Sequence, residues 1–271
     1  MNKYFVVGSQ TSKSLSPIIF NYWFKKYSIK ANYGFLELNN KNFDKKLVEI
    51  FKNKSVKGLN ITIPFKQKII KHIDVLDTHS QKINAVNCVQ INKRIKGVNT
   101  DWAGYYKTLP KKRSLKKNKV LLIGYGGAAL AIHYVLKTKG FKDISVINRT
   151  KKKLMFENKT KYTIGINRLD KYLSFSDLII NTTPTNPIKT KDKKRVNTKS
   201  ILSDIVYSPK ETEFLKNFPN NKKIYGIAML VEQARLCFKH WFGFMPSPDL
   251  KLNAMLDKKI KWQKLLQLLV G

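Results

Sequence analysis

The chain has 271 residues, of which 42% are hydrophobic, so it can bury one large or two small cores and is too apolar for wholesale disorder. Its 53 Lys and Arg residues against 17 Asp and Glu give a formal net charge of +36, a balance typical of proteins that bind polyanions. The lysines are nevertheless spread along nearly the whole chain, without the aromatic-interleaved basic motif of RNA-binding domains, and no apolar run reaches the roughly 18–20 residues of a membrane span. We therefore expect a globular protein with a dispersed surface charge, no specific nucleic-acid partner and no membrane partner.

Strand-like and helix-like segments alternate through the first hundred residues, which predicts one α/β domain. The pair Ser16-Pro17 predicts a helix start, with Ser16 as N-cap and Pro17 at the first helical position. The predicted strands cover 4–7, 33–38, 58–63, 85–91 and 94–98, the last two forming a hairpin, and the predicted helices cover 16–28, 43–51 and 67–72.

One strand of this domain ends in a polar segment followed by a lysine. Pro64 cannot donate a ladder hydrogen bond, so it is expected to end the strand just before Lys66. Open α/β sheets hold their ligands at such strand ends, and a second one, at 99–101, supplies Asp101 as an acid partner. A Lys–Asp pair at these strand ends can transfer a proton. The alternative is that Lys66 has no catalytic role and is one more solvated surface lysine among many.

The second half of the chain opens after a basic, poorly hydrophobic stretch at 111–118. Alternating strands and helices after it predict a mainly parallel sheet covered on both faces. The tail, from about residue 229, is predicted to be helical, with breaks at Pro246 and Pro248. The predicted strands cover 119–123, 144–147, 178–180 and 201–205.

A glycine-rich loop follows the first of these strands, in the pattern G-x-G-x-x-A that typifies dinucleotide-binding sites. Gly124 permits a tight turn, Gly126 lets a pyrophosphate approach the backbone, and Ala129 permits close packing of helix on strand. The helix over 128–139 would point its N-terminal N–H groups, beginning near Gly127 and Ala128, at the phosphates. Because the motif lies between a predicted strand and a predicted helix, a dinucleotide-binding loop is favoured over a tight turn without a ligand.

The second strand of this half ends in Asn148-Arg149-Thr150, where NAD-binding enzymes place an acid for the ribose hydroxyls. No acid stands there. Arg149 and Thr150, with Lys153 one turn on, can instead bind a 2′-phosphate, for which a guanidinium offers a planar two-pronged donor. These residues favour NADP over NAD, the alternative being that they are ordinary surface cations.

At this point the chain strongly resembles the shikimate dehydrogenase family, over essentially its whole length. Eight motifs in the right order carry the resemblance, although no single one would be specific. They are Ser14-Leu15-Ser16-Pro17, residues 60–66, Ala85-Val86-Asn87, Asn99-Thr100-Asp101, residues 124–129, Asn148-Arg149-Thr150, residues 204–209 and residues 229–234.

The resemblance implies reversible, NADP-linked interconversion of 3-dehydroshikimate and shikimate in aromatic amino-acid biosynthesis. It implies a two-domain α/β fold, with a catalytic domain over 1–101 completed by C-terminal helices at about 229–271, and a Rossmann-type NADP-binding domain over 102–228. It also implies a small-molecule substrate and a monomer or homodimer. Because Cys88 and Cys237 are far apart in the sequence and show no metal spacing, we expect reduced thiols, a cytoplasmic protein and no metal site.

By the same resemblance, Lys66 and Asp101 are the catalytic pair. A lysine ammonium is a cation at pH 7, so Lys66 can supply both a proton and a positive field to the developing alkoxide, while Asp101 holds the ammonium and a substrate hydroxyl. The other implied site residues are Ser14 and Ser16 for a carboxylate, Thr62, Asn87 and Gln233 for hydroxyls, Tyr207 closing over the carboxylate, and Thr182 and Gly226 near the cofactor.

Two residues depart from the family pattern. Asn186 stands where members usually have glycine, and Trp102 follows Asp101 where a small residue is common, so Trp102 is expected either to narrow the pocket or only to pack between the domains. The nearest alternative is a quinate/shikimate dehydrogenase that takes an extra hydroxyl and often NAD, although Arg149 argues against NAD. The alternative of another class is a basic nucleic-acid-binding protein with a vestigial Rossmann domain, against which the joint presence of Lys66, Asp101 and Gln233 argues.

Overall fold

The computed structural model describes residues 1–111, 117–247 and 249–270, with side chains in the last helix described up to residue 261. The chain divides into two compact units, Met1–Asp101 with Val231–Lys258, and Trp102–Leu230 with Lys259–Gly271. Most of the predicted basic stretch and the predicted break at Pro248 lie outside the described residues.

The first unit is built on a six-stranded mixed sheet with the order β2-β1-β3-β5-β6-β4. Strand β1 runs parallel to both β2 and β3, whereas β5 runs antiparallel to β3 and to β6, so the predicted hairpin is present. The strands are β1 Asn2–Gly8, β2 Ala31–Glu37, β3 Val56–Ile61, β4 Val75–Leu76, β5 Cys88–Ile91 and β6 Ile95–Val98, and the helices are α1 Ser16–Lys26, α2 Phe43–Lys52 and α3 Thr78–Ile83.

Several details differ from the sequence prediction, and three of them lie near the predicted site residues. Strand β3 ends at Ile61 instead of residue 63, because the backbone turns there and the Phe65 N–H donates to the Thr62 carbonyl at 2.9 Å. The predicted helix at 67–72 is a 3-10 helix, Lys68–His72. Ser16 is the first residue of α1 and not its N-cap, since Leu15 already has helical backbone angles and no side chain caps the helix.

The core of this unit fixes the backbone around the turn that precedes Lys66. Phe65 is fully buried and stacks on Phe43 of α2, with ring centroids 4.1 Å apart. On the other side of the sheet, the Trp241 indole N–H donates to the Val89 carbonyl at 3.0 Å. A Cβ on Gly58 would come within 2.7 Å of the Trp241 ring, so only glycine allows this close approach.

The second unit is built on a six-stranded sheet with the order β12-β11-β10-β7-β8-β9, in which every strand pair is parallel, as predicted. The chain leaves β7 toward β8 on one side and returns to β10 on the other, so β7 lies at the topological switch point where such sheets bind ligands. The strands are β7 Val120–Ile123, β8 Ile144–Asn148, β9 Ile164–Gly165, β10 Leu178–Asn181, β11 Ile201–Asp204 and β12 Lys222–Ile224.

Helices accompany this sheet and form the tail. They are α4 Asp101–Thr108, α5 Gly127–Thr138, α6 Leu169–Leu173, α7 Glu213–Lys216, α8 Gly226–Phe242 and α9 Leu250–Val270, with 3-10 helices at Ile166–Arg168 and Thr190–Arg195. The prediction places all of 229–271 with the first domain, whereas Lys259–Gly271 groups with the second unit. Within the described part of the chain, no helix combines the length and the apolar character needed to cross a membrane.

Candidate active site

Lys66 and Asp101 form a buried ion pair in the first unit. The Lys66 Nζ lies 2.6 Å from Asp101 Oδ2, and the two side chains are only 11% and 5% exposed. Local structure sets both ends of the pair: Lys66 follows the turn anchored by Phe65, and the Asp101 N–H donates to Asn99 Oδ1 at 3.0 Å where α4 begins. A charge-assisted hydrogen bond of this length in a buried setting fixes the ammonium in one place.

Asn87 connects this pair to Gln233 on α8. Its Nδ2 lies 2.9 Å from Asp101 Oδ1, 2.9 Å from Thr100 Oγ1 and 3.1 Å from Gln233 Oε1, while its Oδ1 accepts the Thr100 N–H at 2.6 Å. Asn87 is 3% exposed and Gln233 is 8% exposed. The structure thus brings together four of the predicted site residues, Lys66, Asp101, Asn87 and Gln233, in one hydrogen-bonded cluster.

The side-chain amide of Asn87 has more acceptors within hydrogen-bond distance than it has protons to donate. A carboxamide nitrogen carries two protons, yet three acceptors lie within hydrogen-bond distance of this one, and the contact with Gln233 Oε1 is the longest of the three. At any moment one of these acceptors is left without a proton from Asn87.

Ser14, Ser16 and Thr62 lie at neighbouring loop and strand ends of the same unit. Ser14 Oγ accepts the Ser16 N–H at 3.2 Å, which joins the two serines at the start of α1. The Thr62 N–H donates to the Val7 carbonyl at 2.9 Å, so Thr62 directly continues the edge formed by β1 and β3. Ser16 is buried, whereas Ser14 and Thr62 are half-buried.

The glycine-rich loop has the geometry that a dinucleotide phosphate requires. Gly124 has φ = +96°, a left-handed conformation that favours glycine, and a Cβ there would collide with Thr182. A Cβ on Gly126 would meet nothing within 4 Å, so space is open beside the backbone at the N-terminus of α5, whose first residues are Gly127 and Ala128. Open space at a helix N-terminus beside a switch-point strand suits an anionic group, so these residues fit the predicted cofactor.

The loop after β8 carries the predicted cations. Asn148 Nδ2 donates to the Thr150 carbonyl at 2.8 Å, so the Asn148 side chain shapes this loop. Arg149 and Lys153 are exposed, and Lys153 forms an isolated antiparallel bridge with Tyr162. The loop therefore turns back on itself and presents its cations to solvent.

Thr182, Tyr207 and Gly226 lie in the second unit near the carboxyl ends of β10 and β11. The Thr182 hydroxyl donates to the Ile123 carbonyl at 2.7 Å, which places it against the glycine-rich loop. Tyr207 lies in the loop after β11, where buried Asp204 accepts the Val206 N–H at 3.0 Å; burial raises the pKa of this carboxyl. A Cβ on Gly226 would come within 2.5 Å of the Ile205 and Val206 carbonyl oxygens. Close packing on this backbone therefore explains Gly226 without any cofactor.

Comparisons with known proteins agree with these features. A family model described as the shikimate dehydrogenase substrate binding domain matches residues 6–89, and one described as shikimate/quinate 5-dehydrogenase matches residues 107–216. A shikimate dehydrogenase (NADP(+)) from Pelagibacter ubique is 34% identical over 266 residues, covering 94% of this chain and 98% of that protein. The chain belongs to the shikimate dehydrogenase family. The resemblance noted in the sequence is thereby confirmed.

Solved structures of family members share the whole architecture. The shikimate dehydrogenase from Aquifex aeolicus is 28% identical, with a TM-score of 0.82 over 96% of this chain and 97% of that one. A shikimate dehydrogenase solved in complex with NADP+ is 27% identical, with a TM-score of 0.80 over 97% of this chain and 96% of that one. The predicted two-domain α/β fold class is therefore confirmed.

The two departures from the family pattern have local explanations. Trp102 makes an edge-on contact with Tyr134 of α5, with their ring centroids 6.1 Å apart, so the indole packs within the second unit. Asn186 is not among the residues with a positive φ; its Oδ1 instead accepts the Ile188 N–H at 3.1 Å and its Nδ2 donates to Glu213 at 3.2 Å. Asparagine thus replaces the conformational freedom of glycine with side-chain hydrogen bonds.

Sequence reasoning missed the layer of polar groups beneath the Asn87 cluster. Cys237 Sγ lies 3.0 Å from Asn60 Nδ2 and 3.2 Å from Thr100 Oγ1, and Asn60 Nδ2 also donates to the Asn87 carbonyl at 3.1 Å. The two free cysteines, distant in sequence, meet here: Cys88 contacts Cys237, and burial raises the pKa of the Cys88 thiol. The polar face of β3 was the available signal for Asn60, whereas nothing local marked Cys237.

The described residues contain no group of three or more His, Cys, Asp or Glu side chains that could hold a metal ion.

Proposed function

We propose that this chain catalyses the reversible reduction of 3-dehydroshikimate to shikimate with NADPH, the activity that its curated relatives are named for. The observation that carries the proposal is the buried Lys66–Asp101 ion pair joined through Asn87 to Gln233. Such a cluster can deliver one proton to a defined point while holding several ring hydroxyls. The reaction is a step of chorismate and aromatic amino-acid biosynthesis.

When bound, NADPH would supply the hydride that the ketone carbon receives. Lys66 then gives a proton from Nζ to the oxygen on which negative charge develops, and its positive charge stabilises that oxygen beforehand. Asp101 holds the Nζ through the 2.6 Å bond, so the donor needs little reorganisation when the charge appears. In the reverse direction the neutral amine takes the proton back.

The remaining predicted residues bind and orient the ring. Asn87, Gln233 and Thr62 would contact its hydroxyls, because short amides and hydroxyls both donate and accept hydrogen bonds. Ser14 and Ser16 would bind the carboxylate through their hydroxyls, with Tyr207 as a further donor. The high positive charge of the chain, +36, would raise the local concentration of an anionic substrate of this kind.

We propose that the first unit binds the substrate and that the second binds NADP. The 2′-phosphate would contact Arg149, Thr150 and Lys153, and the pyrophosphate would lie over Gly124–Ala128. The name of the relatives, shikimate dehydrogenase (NADP(+)), supports this cofactor and favours neither the NAD-linked quinate enzyme nor a nucleic-acid-binding protein.

We further propose a cytoplasmic enzyme that works as a monomer or homodimer. Two free, buried thiols are typical of a reducing compartment. Light scattering on the purified chain measures the oligomeric state directly.

The test is a spectrophotometric assay that crosses shikimate and quinate with NADP and NAD. We expect turnover with shikimate and NADP to exceed every other combination. Faster turnover with quinate or with NAD would identify the nearest alternative instead, and no turnover with either substrate would overturn the proposal.

A further inference from the structure

The side chain of Tyr125 links the two loops that would hold the two ends of the cofactor. Tyr125 is the second residue of the glycine-rich loop and is only 4% exposed. Its hydroxyl accepts the Met155 N–H at 3.1 Å, and Met155 lies in the loop after β8 that carries Arg149, Thr150 and Lys153. In addition, Lys152 Nζ of the same loop donates to the Tyr125 carbonyl at 3.1 Å. Two hydrogen bonds therefore join the loops, both donated by the loop after β8 and accepted by Tyr125.

His133 fixes the direction of the Tyr125 hydroxyl. Its Nδ1 lies 3.0 Å from the Tyr125 oxygen, and the imidazole is fully buried on α5. Burial lowers the pKa of His133 to about 4, so the ring is neutral at pH 7 and Nδ1 can accept while Nε2 faces Glu157 Oε1 at 3.5 Å. The hydroxyl then donates to His133, which leaves its oxygen lone pairs for the Met155 N–H.

Thr163 holds the same loop from its opposite side. Its hydroxyl accepts the Lys152 N–H at 3.0 Å and donates to the Thr150 carbonyl at 3.2 Å, and Thr163 is 7% exposed. Thr150 is thus fixed by Thr163, while the other end of the loop is fixed by Tyr125. Exposed cations on a loop lose conformational entropy when they bind a phosphate, and prior anchoring of the backbone reduces that cost.

We propose that Tyr125, with Thr163, is a positioning residue for cofactor selectivity: it holds the loop that reads the 2′-phosphate in register with the loop that holds the pyrophosphate. The inference rests on the proposed function, because it assumes that NADP occupies these loops. Tyr125 acts through the loop and not on the phosphate itself, so its effect falls on NADPH and spares NADH, which lacks the 2′-phosphate.

The experiment measures the Kd values of NADPH and NADH for the full-length chain and for Tyr125→Phe, by quenching of intrinsic fluorescence. Loss of one ordering hydrogen bond should weaken NADPH binding by about fivefold and NADH binding by less than about twofold. Tyr105→Phe is the matched control. It removes another buried tyrosine hydroxyl of the same unit, one that donates to Ser203 at 3.2 Å, and should leave both Kd values unchanged.

A double variant separates positioning from general destabilisation. In an Arg149→Ala background, Tyr125→Phe should weaken NADPH binding by less than about twofold, because the cation that the loop positions is already gone. Equal weakening of NADPH and NADH, or a full fivefold effect that persists without Arg149, would overturn the inference.

A folding failure and a failure of the proposed function are both recognisable. If Tyr125→Phe does not give a cooperative thermal transition, Thr163→Val, which keeps the side-chain shape, must show the same NADPH-selective loss or the inference is wrong. If the unmodified chain oxidises shikimate with NADP while both variants keep its selectivity, the inference alone is wrong. If the unmodified chain does not use NADP at all, the proposed function is wrong.

Discussion

For the Lys66–Asp101 pair we predict that replacing both residues restores the stability that each single replacement loses, but does not restore the activity. With the two charged atoms 2.6 Å apart, an effective dielectric constant of about 20 gives a gross attraction of about 6 kcal/mol, most of which offsets the cost of taking both charges out of water. Removal of one partner strands the other in a site where the side chains are 11% and 5% exposed, so Lys66→Met and Asp101→Asn should each lower the free energy of unfolding by about 3–5 kcal/mol.

The double variant should regain most of that stability, to within about 1 kcal/mol of the unmodified chain, because neither charge is then left unpaired. Its activity should not return. All three variants should lose about 10²- to 10⁴-fold in kcat for shikimate oxidation, and the KM of the single variant Lys66→Met should stay nearly unchanged, since the ammonium acts on charge that develops during the reaction.

Urea unfolding followed by circular dichroism gives the four stabilities, and absorbance of NADPH gives the four kcat values. The exposed pair Lys46–Glu49, 2.8 Å apart with side chains 51% and 50% exposed, is the matched control, and the same cycle there should cost less than about 1 kcal/mol and leave kcat unchanged. A double variant as unstable as the sum of the two single ones would refute the ion-pair reasoning. A double variant that regains kcat would refute the catalytic role.

Further predictions concern the second unit and the surface charge. Arg149→Ala should raise the KM for NADP at least about tenfold and leave the KM for NAD within about twofold of its original value. Arg168→Ala, which replaces another exposed arginine, is the control. An unchanged preference for NADP in Arg149→Ala would contradict the assignment of Arg149 to the 2′-phosphate. Gly126→Ala adds a Cβ in open space, so it should weaken NADPH binding at unchanged melting temperature, whereas Gly226→Ala meets two carbonyl oxygens and should cost about 1–3 kcal/mol of stability; identical effects of the two would contradict this. Since the pKa of His133 is lowered to about 4, the unfolded chain takes up a proton between about pH 6.5 and 4 that the folded chain refuses. The free energy of unfolding should therefore fall on acidification by up to about 1.4 kcal/mol per pH unit, and this fall should be steeper than in the variant His133→Gln. Parallel pH profiles of the two proteins would disprove this role of His133. Binding to duplex DNA, measured by fluorescence anisotropy, should vanish at about 150 mM salt, and persistence there would reveal a real polyanion site.

The sequence predicts those parts of the fold that have a local signal. Buried strands such as Val120–Ile123 are continuous apolar runs, and the loop from Gly124 carries its own spacing, so the four central strands of the second sheet could be predicted. Strands β4 and β9 have two residues each and β12 has three, too few for any periodicity, and the sequence predicts none of them. The segment Lys68–His72 has a helical pattern in sequence, which does not distinguish an α-helix from the 3-10 helix that the structure forms there.

The candidate site divides in the same way. Lys66 and Asp101 could be identified because each follows a strand end and belongs to a motif. The contacts of Cys237 with Asn60, and of Tyr125 with the loop around Met155, join residues distant along the chain. No spacing rule predicts such pairs, since they depend on how separate elements pack in three dimensions.

The shortage of protons at Asn87 bears on how a ligand is chosen. With two N–H protons facing three acceptors, the Asn87 amide cannot serve Asp101, Thr100 and Gln233 fully at the same time. A molecule that brings its own O–H to this point relieves that competition, whereas one offering only a lone pair adds a further acceptor. The site is therefore a filter for donors, and an analogue with the matching hydroxyl replaced by an ether or a fluorine is penalised even if its shape is perfect.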